Sequence, residues 1–361
     1  MQNFGSWSVL TTNFLIILYM ALGTITLSAL LHMANAKWRF QIRSLVASLA
    51  VLFPVAFVLL LILLFNGEHT FQWLAHANEG EHHLPGGWRD NTVLWHNYTF
   101  LVAREIIGFI VVVGLYSLFL RYQKLSETNP SPAIARTFRN ITLLIPFAYV
   151  PYATMVAWDF EMTQMPGWHS ASYGAYHFVS NFHASLGFLA ILLFVLSRSG
   201  KLVKPLPEFV FNYLAQFMFA FTILWTYLFF TQFLIMWYGR FPEETIRFFN
   251  MMYGGPMQPN MEIGGYSPLW WTFFTLKFIV PFTTFLFTAN RHNPVVIITV
   301  ASGILVGTWI ERYTWISGSV DPKLYHFPMT SIFDIVVTVV LAVVVFFAIR
   351  WSLNRAGLVR L

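Results

Sequence analysis

The chain has 361 residues, of which 57% are hydrophobic and only 10% charged, with a mean hydropathy of +0.62. Soluble domains are about 25% charged, so the sequence lacks the polar surface of a water-exposed protein and reads as an all-α polytopic membrane protein. The formal charge of +6 does not mark a nucleic-acid binder, because the basic residues sit between apolar runs. The absence of cysteine excludes disulfides, cysteine-ligated iron–sulfur clusters and covalently attached haem.

A membrane span needs roughly 20 apolar residues. The N-terminal MQNFGSWSVL has no basic stretch of the signal-peptide kind, so the first apolar run reads as a retained helix. In chain order the runs at about 10–33, 44–65, 96–120, 139–158, 172–197, 209–238, 268–289, 294–315 and 330–350 predict nine spans. Pro54, Pro146, Pro151 and Pro281 fall inside them, as neighbouring helices allow in a bilayer. The two long connections, about 66–95 and 239–267, are rich in Gly, Pro, His and Glu. With no internal repeat, residues 1–361 read as a single integral membrane domain.

Basic residues alternate along the connections. Those after spans 1, 3, 5 and 7, with the C-terminal tail, hold 14 of the 21 Lys and Arg; the intervening ones hold five; Arg104 and Lys277 lie inside spans. The positive-inside rule then places the N-terminus outside and the C-terminus in the cytoplasm, with both long connections outside.

Ionisable groups inside spans are costly and are usually functional or paired. Asp159, His177, Arg104, Glu105, Glu311 and Asp334 fall toward the outer ends of their spans, and His183 and Lys277 deeper. They are the candidate proton-path residues, because burial and neighbours move carboxylate and imidazole titration toward working pH. The competing reading is a set of structural ion pairs. Adjacent helical residues point about 100° apart, so Arg104 and Glu105 are expected to meet different partners. Span 5 carries two polar rows, Tyr173–His177–Asn181 and Tyr176–Ser180–His183, each able to face a neighbouring helix. The inner half offers mainly Asn212, Gln216 and His32.

His177 and His183 lie on one helix six positions apart and cannot grip one haem iron from opposite sides. The connection with His69, His76, His82, His83, Glu79 and Glu81 matches no particular metal spacing and reads as a solvated or docking loop. No phosphate loop, dinucleotide loop, nucleophile elbow or zinc-protease motif occurs.

Three segments carry a resemblance: VAWDFEMTQMPGWHSASYGAYHF at Val156–Phe178, TQFLIMWYGRFPEETIRF at Thr231–Phe248, and KFIVPF at Lys277–Phe282 followed by RHNP and WIERY. Together they resemble the ActF-type subunits of bacterial alternative complex III, within the NrfD/PsrC-like membrane proteins. The resemblance implies two four-helix bundles with additional helices. It also implies membership of a quinol:cytochrome c oxidoreductase complex. The implied partners are a sister NrfD-like subunit, an extracytoplasmic iron–sulfur subunit, c-type cytochrome subunits and lipids. Haem and iron–sulfur clusters would belong to those partners, and quinone or quinol is the one small molecule implied, its chemistry better attributed to the sister subunit. Asp159 aligns with the acid of the family's Trp-Asp pair, and His177, Glu243 and Glu244 fall within matching segments. The resulting expectation is an anchoring subunit in the bacterial inner membrane that conducts protons from an outer-half polar cluster. The alternatives are a stand-alone proton-coupled transporter and a purely structural anchor.

Overall fold

A computed structural model describes residues 4–74, 95–165, 168–239, 242–253, 265–318 and 326–360. Its elements are α1 (Phe4–Met33), α2 (Arg39–Ser48), a 3₁₀ turn (Leu49–Val51), α3 (Leu52–Phe65), α4 (Gly67–Thr70), α5 (Tyr98–Thr128) and α6 (Pro132–Ala157), which continues as a π-helix (Trp158–Met162). Then come α7 (Tyr173–Arg198), α8 (Phe209–Gly239), α9 (Pro242–Tyr253) and α10 (Ser267–Phe274), which continues as a second π-helix (Thr275–Ile279) into α11 (Val280–Leu286). A short α12 (Thr288–Arg291), α13 (Pro294–Ser317) and α14 (Ile332–Arg355) complete the chain. Among the described residues, nine helical segments are long and apolar enough to cross a membrane. The protein is a multi-pass membrane protein of the all-α class.

The caps follow the sequence. Asn97, Ser131, Asn293 and Ser331 each turn a side-chain oxygen to a free backbone N–H at the start of α5, α6, α13 and α14. Pro132 and Pro294 occupy first helical positions, where no donor is lost. Pro54 follows the 3₁₀ turn and Pro281 follows the second π-helix, so each sits where the helical ladder already changes. The expected spans recur, most with longer ends: α5 runs on to Thr128 and the fourth span extends through the π-helix to Met162, while the seventh stops at Leu286, short of the expected 289.

α1 is buried around nearly its whole circumference, as an apolar helix must be when other helices surround it. It packs on α2, α3, α6, α7, α13 and α14. One group of four spans comprises α1, α2–α3, α5 and α6; a second comprises α7, α8, α10–α11 and α13. α7 joins them by packing on α1 and α6 as well as on α8 and α13, and α14 lies outside against α1, α2 and α3.

Lipid is as apolar as leucine, so tight backbone approach and polar contacts between helices hold such bundles together. A Cβ on Gly187 of α7 would lie 2.9 Å from the Ala301 carbonyl of α13. One on Gly307 of α13 would lie 2.9 Å from the Cγ of Lys277. Glycines therefore let α13 approach both α7 and the second π-helix. At the end of the bundle rich in basic residues, the C-terminal tail is clipped to the α7–α8 connection, with Val203 N donating to Leu358 O at 3.1 Å and Arg360 N to Lys201 O at 2.7 Å.

Candidate functional site: a buried ion network

Each π-helix delivers a charged residue to the bundle interior. In the first, Thr163 N donates to Trp158 O at 2.9 Å, five residues back, and the Thr163 hydroxyl binds Asp159 O at 2.7 Å. The wider turn re-aims its side chains, and Asp159, Phe160 and Glu161 are all buried. In the second, Val280 N donates to Thr275 O, and Lys277 is the buried residue of the turn.

Glu161 and Glu311 are the two acids of the network, and both are fully buried. Glu161 Oε2 accepts from the Tyr173 hydroxyl at 2.6 Å and Arg312 Nη1 at 2.6 Å, and lies 2.9 Å from His177 Nδ1. Glu311 Oε1 accepts from Arg312 Nη2 at 2.6 Å, Trp225 Nε1 at 3.1 Å and the Tyr176 hydroxyl. Glu311 Oε2 accepts from the Ser180 hydroxyl at 2.7 Å and pairs with Lys277 Nζ. Arg312 thus clamps the two acids with separate arms of its planar fork, a geometry a lysine cannot supply. Glu161 and Glu311 balance Arg312 and Lys277, as buried ions require. Trp225 and Tyr176 present ring faces to Lys277 and Arg312 at 4.5 and 5.3 Å.

His177 has two distinct faces. Nδ1 lies 2.9 Å from both Glu161 Oε2 and Arg312 Nη1, while Nε2 lies 2.9 Å from the Tyr19 hydroxyl of α1. One tautomer donates to Glu161 through Nδ1; the other donates to Tyr19 through Nε2 and accepts from Arg312. The imidazole can therefore hand a proton between the network and α1 by exchanging tautomers.

α9 closes the network at one end. Arg247 is fully buried, and its Nη2 donates to the carbonyls of Glu161 at 2.7 Å and Trp315 at 2.8 Å. The rings of Trp168 and Trp315 lie 4.4 and 4.9 Å from its guanidinium. Burial pushes the Arg247 guanidinium down to about 10, so it remains charged at neutral pH.

Arg104 and Asp159 form a second site beside the first. Arg104 Nε donates to Asp159 Oδ2 at 2.7 Å, its Nη2 to Oδ1, and its Nη1 to the Trp95 carbonyl at 2.9 Å. Trp95 Nε1 adds a bond to Asp159 Oδ1 at 3.0 Å, and Arg104 lies over the Trp95 ring at 4.1 Å. The Glu105 carboxyl also reaches Asp159. The expectation that Arg104 and Glu105 serve different partners is thus corrected: the π-turn carries Asp159 to where both side chains converge.

Of the residues singled out in the sequence, His177, Lys277 and Glu311 lie within the network, whereas Asp159, Arg104 and Glu105 form the adjoining site. His183 stands apart, its Nε2 3.3 Å from the Thr222 hydroxyl. Asp334 belongs to a different cluster, 2.7 Å from His326 Nε2 and capped by Ser331. The two polar rows of α7 divide their work. Tyr173 and His177 serve Glu161, with Asn181 bonded back to the His177 carbonyl; Tyr176 and Ser180 serve Glu311. Sequence reasoning missed Glu161, Arg312 and Arg247 as buried site residues, and Tyr19. Glu161 stands two places beyond Asp159, and Arg312 directly follows Glu311, so the motifs held both, but span limits set at 158 and 315 left them near the water.

The opposite half of the bundle also differs from expectation. Asn212 and Gln216 form an exposed pair at 3.4 Å. The buried polar groups are instead Thr26 and Tyr116, 2.6 Å apart, and Ser28 and Gln123, 3.3 Å apart. Beyond them a water-sized cavity of about 10 Å³ is lined by Ser28, His32, Arg39, Arg43, Gln123 and Phe138. His69 stacks on Trp7 at 5.5 Å between ring centres. His76, His82, His83, Glu79 and Glu81 lie outside the described residues, as does the Glu243 side chain. The Glu244 carbonyl accepts from Trp168 Nε1 at 2.9 Å. No group of three or more metal-binding side chains occurs among the described residues. No protein-family model matches the chain, and no curated protein matches it.

Proposed function

We propose that the chain is a proton-conducting integral membrane subunit of a quinol-oxidising electron-transfer complex. The single observation that carries the proton role is His177, buried between the Glu161–Arg312 pair on one ring nitrogen and Tyr19 on the other. A purely structural ion pair needs no group that can donate from either of two faces. Support for a route beyond the network comes from α1, which bears Tyr19, Thr26, Ser28 and His32 in order toward the basic end. Tyr149 packs edge-on to Tyr19 at 6.2 Å and lies within electrostatic reach of Tyr116, which pairs with Thr26.

The distribution of basic residues supports an orientation with the network in the outer half of the membrane and the Arg39–Arg43 cavity on the cytoplasmic side, and the ActF-type resemblance supports the bacterial inner membrane. The redox context rests on the resemblance of Val156–Phe178 and Thr231–Phe248 to ActF-type subunits. On that reading quinol chemistry and electron transfer reside in a sister subunit and in the iron–sulfur and cytochrome c subunits, which dock on the extracytoplasmic connections. The test is extraction in mild detergent followed by native electrophoresis, haem staining and mass spectrometry. Co-migration with c-type cytochromes and an iron–sulfur protein, with quinol:cytochrome c turnover, is expected; isolation without haem or partners in several mild detergents removes the redox assignment.

One observation favours a second reading, a stand-alone proton-coupled transporter: the seventh span is interrupted by a π-helix at the buried Lys277, and transporter sites are commonly built at broken helices. Proton uptake driven by a solute gradient in vesicles containing this chain alone would favour that reading over the respiratory one.

A further inference from the structure

Glu105 is fully buried in α5, yet neither carboxyl oxygen receives a hydrogen bond among the described residues. A carboxylate without donors is not stable at membrane depth; buried acids are paired, hydrogen-bonded or neutral. Its neighbours define which applies. Asp159, from the π-turn of the fourth span, lies within hydrogen-bonding reach of Glu105. Asp159 accepts three hydrogen bonds from Arg104 and Trp95, so its charge is matched while one acceptor site on Oδ2 is left. Arg104, on the same helix, spends its guanidinium on Asp159 and the Trp95 carbonyl. From α6, Tyr152 lies within electrostatic reach of Glu105, and its buried hydroxyl has no partner among the described residues. From α1, Tyr19 lies within electrostatic reach of both Glu105 and Glu161.

We infer that Glu105 is a proton-storage carboxyl: in the resting protein it carries a proton and donates it to Asp159. The proton makes the Arg104–Asp159–Glu105 group electrically neutral, and it supplies the one donor that the geometry otherwise lacks. Moving it onto Asp159 would put the negative charge on Glu105, away from the Arg104 and Trp95 donors that hold Asp159, so the proton rests on Glu105. When it is released, the Glu105 O–H bond breaks, the proton passes to the Asp159 carboxylate it is bonded to, and Glu105 becomes the carboxylate. Tyr19, which meets His177 at 2.9 Å, also lies within electrostatic reach of Glu105, so the store lies near the proposed conduction route. This role deepens the proton-conduction reading above and rests on it, but the protonation of Glu105 stands on burial and geometry alone.

Infrared spectroscopy of the detergent-solubilised chain at neutral pH tests it. The wild type is expected to show the carbonyl stretch of one neutral carboxylic acid that shifts in D₂O. Glu105→Gln is expected to lose that band, and Asp159→Asn to move its frequency, because the acceptor changes. Absence of the band in the wild type, its survival in Glu105→Gln, or an unmoved frequency in folded Asp159→Asn would overturn the inference. Should Glu105→Gln fail to fold, Glu105→Asp gives the same reading through a displaced band. The measurement needs no redox partner. A band without proton flux in the wild type would therefore refute conduction alone, and flux without the band would refute storage alone.

Discussion

The Nε2 atom of His177 lies 2.9 Å from the hydroxyl of Tyr19, across the interface between α7 and α1. This contact joins the two groups of helices and links the ion network to α1, the most deeply buried span. Each partner is held from behind. Glu161 and Arg312 fix the far side of the imidazole, and Tyr149 packs edge-on against Tyr19 at 6.2 Å. The imidazole can therefore exchange tautomers without leaving its place.

The Lys277–Glu311 pair should be strongly non-additive. Removing one partner of a buried ion pair leaves a charge uncompensated and costs about 3–5 kcal/mol. Lys277→Met and Glu311→Gln should each destabilise the chain by that order. The double variant should recover part of the loss, because no unmatched charge remains between those two positions. Thermal unfolding in detergent, arranged as a double-mutant cycle, measures the coupling; strictly additive losses would show that the two groups do not compensate each other.

Gly187→Ala should be costly although it adds a single methyl. The new Cβ meets the Ala301 backbone carbonyl at 2.9 Å, and backbone cannot swing aside as a side chain can. Separation of α7 from α13 should cost about 1–3 kcal/mol. Gly114→Ala is the control: nothing lies within 4 Å of its Cβ, and the substitution should stabilise α5 by up to about 1 kcal/mol. Melting temperatures that move in opposite directions are the expected result.

Arg247 should act as a plug. Its guanidinium fills the aromatic box of Trp168 and Trp315 and ties the carbonyls of Glu161 and Trp315 together. Because the chain has no cysteine, a single Ser180→Cys reporter can be read without background. It should resist membrane-impermeant thiol reagents in the otherwise native chain and react once Arg247→Ala is added. Equal reactivity in both would show that α9 does not close the site.

The span count was legible because a run of about 20 apolar residues is a local property. The positions of the acids were legible only in part. Glu311 and Lys277 stood out as charges inside apolar runs, and both enter the network. Glu161 and Arg312 did not, since each lies where the apolar run ends. A π-turn then carries Glu161 inward, and Arg312 is buried because it meets Glu161 and Glu311; neither feature has a sequence period to betray it. Arg247 and Tyr19 were illegible for another reason. An arginine in a connection and a tyrosine in an apolar helix are ordinary until the fold shows which carbonyl or imidazole each one meets. Thr26, Tyr116 and Gln123 escaped notice likewise, because uncharged polar residues become informative only when buried together.

Proton flux through proteoliposomes containing the complete complex, compared between wild type and Tyr19→Phe, tests the central claim most directly. Phenylalanine keeps the ring and its packing and removes only the hydroxyl that faces His177, a loss of about 1 kcal/mol in stability. Proton movement should fall by about tenfold or more, while electron transfer from quinol to cytochrome c persists in uncoupled form. Unchanged proton movement per electron in a folded Tyr19→Phe complex would contradict the account and return the His177 network to a structural role.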